Sequence, residues 1–99
     1  NIPSWLEKEV RERDKKCVYC GVEFTTAKVS KKTCASWEHI INDAKIITRE
    51  NISLCCCSCN ASKVQKKLSN WLESKYCIDR GINKTTVAPI IQKAIANGL

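Results

Sequence analysis

The sequence lacks what a membrane protein or a repeat protein is built from. No apolar run approaches the roughly 20 residues that a membrane-spanning helix needs. Internal repeats, low-complexity tracts and an internal linker are missing, so a chain of 99 residues reads as a single unit (1–99) with a modest core. Nothing at Asn1-Ile2-Pro3-Ser4-Trp5 resembles a signal peptide. There is one histidine, His39, so no second imidazole is present to replace it as a base.

Cysteine and positive charge are abundant instead. Eight cysteines in a secreted chain would suggest disulfides, but here four of them fall in two C-x-x-C pairs, Cys17/Cys20 and Cys56/Cys59. Paired C-x-x-C spacing points to metal thiolates in a reducing, cytoplasmic setting. Each pair sets two thiolates three residues apart, which lets both reach one ion, and Gly21 allows the chain to turn after the first pair. Together they define a four-thiolate structural zinc site. The triple Cys55-Cys56-Cys57 leaves the register open; Cys56 and Cys59 are preferred because they repeat the first spacing and lead into a helix. Cys34, Cys55, Cys57 and Cys77 remain, read as small buried apolar residues. Lysine and arginine number 17 against 10 acidic residues, a formal charge of +7. At this size the excess suggests a polyanionic partner, with a merely soluble basic surface as the competing reading.

Along the chain, Ile2, Leu6 and Val10 recur at helical spacing and predict a helix over about 4–14. Val22 to Phe24 suggests a short strand and Thr25 to Lys32 a polar loop bearing Lys28, Lys31 and Lys32. Strands are expected at 33–41 and 51–55, joined by a loop over 42–50. Glu38 and His39 are adjacent, so a regular strand sends them to opposite faces; one site can use both only if the chain leaves strand geometry at about His39. Val64, Leu68, Trp71 and Leu72 predict a helix over about 60–75, whose other face carries Asn60, Lys63 and Lys67. A last helix is expected over about 86–97, capped by Thr85 or Thr86 and stopped by Gly98, its aliphatic face serving as core or as a homodimer contact.

The run Cys17-x-x-Cys20, Glu38-His39-Ile40-Ile41, Asn51-x-x-Leu54 and Cys56-x-x-Cys59-Asn60-x-x-Lys63 resembles the zinc-containing HNH (ββα-metal) nuclease motif over about residues 13–67. The resemblance implies an α+β fold, a zinc-stapled ββα module with flanking helices. It also implies a divalent-metal-dependent DNA endonuclease acting on duplex DNA. His39 would be the general base, Glu38 and Asn60 the ligands of a catalytic Mg²⁺ or Mn²⁺, and Asn51 the support of the histidine-bearing loop. Glutamate in place of the commoner aspartate, and Asn60 in place of histidine, make this an H-N-N variant. The chemistry is coherent: imidazole is a suitable base near neutral pH, and oxygen ligands suit a hard ion that neutralises developing charge on phosphate. Lys63 and Lys67 are expected to contact phosphates.

Each role has a plainer competitor. Glu38 can be an ion-pair partner alone, Asn51 a turn residue and Asn60 a helix cap. Two other function classes accordingly stand beside the nuclease. One is a non-catalytic, zinc-stapled nucleic-acid-binding module, which needs the cysteines and the charge but not Glu38, His39 and Asn60 together. The other is a small zinc-ribbon scaffold for protein contacts.

Overall fold

A computed structural model describes all 99 residues. It is a small α+β domain: one β-hairpin, five short helices and a cluster of cysteines. Helix α1 spans Ser4–Arg13, strands β1 and β2 span Ala35–His39 and Ile52–Cys56, and helices α2 to α5 span Cys57–Lys63, Leu68–Leu72, Lys75–Arg80 and Pro89–Ala96.

The hairpin is antiparallel, with Ala35 opposite Cys56, Trp37 opposite Leu54 and His39 opposite Ile52. Strand alternation gives it two faces. One carries Ile52 and Leu54, which pack with Leu6 and Val10 of α1, flanked by the half-buried Trp37. The other carries Cys55 toward a larger core of Tyr19, Trp71, Cys77, Ile82, Val87 and Ile91. β2 is buried along its whole length because both faces are covered. Asp14 fastens the α1 side: its carboxylate accepts from the Leu54 amide at 3.0 Å and from the Arg13 guanidinium at 2.7 Å.

Three expectations about elements are corrected. The helix expected over 60–75 is two helices, because α2 stops at Val64, whose φ of 49° lies in the left-handed region. The expected strand at Val22 to Phe24 reduces to isolated bridges, Lys16 with Glu23 and Thr25 with Cys34. The last helix begins at Pro89 rather than Thr86: proline suits the first helical position and pushes the residue before it, Ala88, into an extended conformation. Val87, Ile91 and Ala94 are buried within the chain itself. No helix is long and apolar enough to cross a membrane.

Candidate metal centre

The two C-x-x-C turns meet beside the hairpin. Cys17 and Cys20 come from the turn after α1, Cys56 from the end of β2 and Cys59 from the first turn of α2. Their four sulfurs all lie within 4.8 Å of one another. The Cys20 and Cys56 sulfurs are 3.8 Å apart. A tetrahedral ion with metal–sulfur bonds of about 2.3 Å needs sulfur–sulfur edges of about 3.8 Å, so the residues present fit such a centre.

The two turns are built alike. The Cys20 amide donates to Cys17 Sγ and the Cys59 amide to Cys56 Sγ, each at 3.4 Å. These bonds hold each pair of thiols on one side of its turn and favour the thiolate. Tyr76 Oη adds a donor to Cys59 Sγ at 3.3 Å. Three of the sulfurs, those of Cys17, Cys56 and Cys59, compete for charge. Hydrogen bonds with Cys56 and then Cys59 hold the Cys17 thiol far below its ordinary range. Facing Cys17, the Cys56 thiol is pushed up to about 12, and the Cys59 thiol well above its usual value by Cys17 and then Cys56. A dication between them makes four thiolates compatible.

No second, His-based centre exists. The four cysteines are the sole group of three or more His, Cys, Asp or Glu side chains whose ligand atoms converge. β1 stays regular through His39, and the ladder continues as the Ile40 amide donates to Asn51 O at 2.9 Å. The departure from strand geometry that a shared site required is therefore absent, and alternation sets His39 on the Trp37 face and Glu38 on the Tyr19 face.

Glu38 is buried and already partnered. Its Oε2 accepts from Tyr19 Oη at 2.6 Å and pairs with Lys63 Nζ at 3.1 Å. Burial, and then the Glu38 charge, hold the Tyr19 phenol well above its ordinary value, so it serves as a neutral donor. Asn60 donates its amide to Ser36 Oγ at 3.0 Å and Trp37 O at 3.1 Å, tying α2 to β1.

The HNH resemblance, and with it the divalent-metal-dependent DNA endonuclease with His39 as base and Glu38 and Asn60 holding Mg²⁺ or Mn²⁺, is thus overturned. The carboxylate meant for that ion is neutralised by an internal cation. Lys63 is corrected too: it is fully buried, donating also to Ile40 O at 3.2 Å, and does not face phosphate. Asn51 is a loop fastener. Its Oδ1 accepts from the Ile41 amide at 2.6 Å, and its Nδ2 donates to Ile41 O and Ile46 O. Lys67 is exposed.

Sequence reasoning missed Tyr76 as the hydroxyl donor to the centre and Tyr19 as the donor to Glu38. Tyr19 sits inside the first C-x-x-C, where one aromatic in a short turn carries no pattern. Tyr76 arrives from α4, far along the chain. Compared with models of known families, with curated proteins and with solved structures, the chain matches none.

Proposed function

We propose that the chain is a zinc-stapled, non-catalytic nucleic-acid-binding module whose partner is DNA, with duplex DNA the first substrate to test. Four thiolates select Zn²⁺ over the hard ions that oxygen ligands favour. Cys17, Cys20, Cys56 and Cys59 hold the ion, and its work is to fix two turns and a hairpin in one geometry.

The observation that carries the DNA reading is where the cations lie. Only four of the 17 lysines and arginines (Arg13, Arg49, Lys63 and Lys75) stand in ion pairs, leaving thirteen with no carboxylate within reach. Lys28, Lys31 and Lys32 are exposed on the loop before β1, and Lys66 and Lys67 on the turn after α2. Lys66 also donates to Ser62 O at 2.9 Å, but none of these five is neutralised by a carboxylate, and such cations are the groups that displace counterions from a phosphate backbone.

The test is fluorescence anisotropy of zinc-loaded protein with a labelled duplex across a salt series. Binding that weakens steeply with salt is expected, and Lys67→Ala should flatten the slope by about one unit. Plasmid incubated with Mg²⁺ or Mn²⁺ should stay uncut. Failure to bind duplex at low salt and micromolar protein would remove DNA as the partner.

A further inference from the structure

Two cysteines outside the metal centre are placed for chemistry of their own. Cys34 immediately precedes β1 and Cys57 opens α2, and the hairpin register that sets Ala35 opposite Cys56 brings them face to face at its open end. Their sulfurs are 2.7 Å apart. The surrounding backbone fixes the approach: the Cys57 amide donates to Cys34 O at 3.0 Å, and the Cys57 thiol reaches the same carbonyl at 3.1 Å. Neither residue belongs to the converging four-cysteine group. Unlike Cys55 and Cys77, which are fully buried, both are half-buried. The expectation that all four leftover cysteines are buried apolar filler is therefore wrong for this pair. Cys57 also lines an open cleft with Ser36, Asn60 and Gln65, which gives a small oxidant a path to it.

We infer that Cys34 and Cys57 are an oxidisable dithiol, a disulfide-forming modification site separate from the metal cluster. A disulfide requires the sulfurs to close to about 2.05 Å, a shift of about 0.7 Å from where they stand. The oxidant is a hydroperoxide. One thiol, as thiolate, attacks a peroxide oxygen; the O–O bond breaks, and a sulfenic acid forms as water leaves. The second thiol attacks the sulfenic sulfur, the S–S bond forms, and the S–O bond breaks to release a second water. With hydrogen peroxide, two thiols and one peroxide become one disulfide and two waters; the sulfurs lose two electrons and the peroxide gains them. A dithiol reductant reverses the step.

The test treats the reduced protein, as purified, with stoichiometric hydrogen peroxide and follows intact mass, bound zinc and the non-reducing peptide map. The expected result is a mass loss of about 2 Da, reversed by dithiothreitol. One tryptic link should join the peptide 33–45 to the peptide 50–63 through Cys34 and Cys57, with bound zinc unchanged. Cys34→Ser and Cys57→Ser should each abolish the mass loss; if either fails to fold, the wild-type link assignment decides alone. Oxygen uptake on a single cysteine without a link, a link through any other cysteine, or metal release in step with oxidation would each overturn the inference. A failure to bind DNA would leave this result unaffected, because no step in it involves phosphate.

Discussion

At the scale of single residues, the Glu38–Lys63 pair has the largest consequence. Both side chains are almost wholly out of water, at 5% and 1% exposure, and the pair ties β1 to the end of α2. A buried charge left alone costs far more than the net worth of the pair, about 3–5 kcal/mol against a total domain stability of about 5–15 kcal/mol. Lys63→Met should therefore lower stability by about 3–5 kcal/mol in urea denaturation, and adding Glu38→Gln should restore much of the loss. A Lys63→Met protein within about 1 kcal/mol of wild type would show that the carboxylate is not held by this lysine. The sequence made Glu38 conspicuous by setting it beside the only histidine, and that adjacency misled. Alternation along a strand separates neighbours, and whether the ladder runs on through His39 depends on the Ile40–Asn51 hydrogen bond, which no local pattern reveals. Lys63 misled for a related reason. On a long helix its position three residues after Asn60 reads as a solvent face, but α2 is seven residues long and lies against β1.

At the scale of elements, the break between α2 and α3 is the informative departure. Val64 has φ 49° and ψ −115°, close to the first central position of a type II′ turn, and the Lys66 amide closes that turn on Lys63 O at 2.8 Å. Glycine dominates this position because a Cβ is crowded there, and a β-branched side chain is among the worst fits. Val64 is 56% exposed, so little packing repays it. The bend itself is useful. It turns the chain so that Trp71 stacks edge-on against Tyr19, with centroids 4.8 Å apart, and donates its indole N–H to Ser62 Oγ. Strain of about 1–3 kcal/mol exceeds the roughly 0.5–1 kcal/mol that glycine loses in conformational entropy. Val64→Gly should thus stabilise by about 1 kcal/mol and raise Tm by about 4 °C or more in calorimetry; an unchanged or lower Tm would mean that the turn is not strained. The apolar stripe Val64, Leu68, Trp71 and Leu72 has helical spacing whether or not the helix is continuous, so periodicity alone could not show this break. Other features were legible. The Ile2–Leu6–Val10 stripe gave α1 to within a residue. α4 was passed over, although Ser74, whose side chain caps the Cys77 amide, and Gly81, which ends the helix in the left-handed conformation, are its signals.

At the scale of the whole molecule, the four-cysteine cluster joins two turns that lie far apart in the sequence. One turn follows α1, the other joins β2 to α2, and Cys17, Cys56 and Cys59 are members of the larger core. That core wraps Trp71, the only one of three tryptophans that is fully buried; Trp5 is 58% exposed and Trp37 half-buried. The spacing of the cysteines was enough to choose the four that converge, since two C-x-x-C turns admit few other partners for one ion. Structural zinc contributes on the order of 10 kcal/mol in small domains, as much as the whole stability expected of a chain this size. Removing the metal should therefore unfold the domain rather than loosen one loop. A strong chelator should abolish the cooperative thermal transition and shift tryptophan emission to the red as Trp71 meets water, with readdition of Zn²⁺ restoring both. In Trp71→Phe most of the emission shift should vanish while far-ultraviolet circular dichroism still reports the unfolding. Cys59→Ser should behave like the chelated protein, and Cys34→Ser, outside the cluster, like the wild type. A metal-free protein that melts cooperatively within a few degrees of the zinc-loaded form would show that the two hydrophobic clusters hold the fold unaided, and the ion would lose its role as staple.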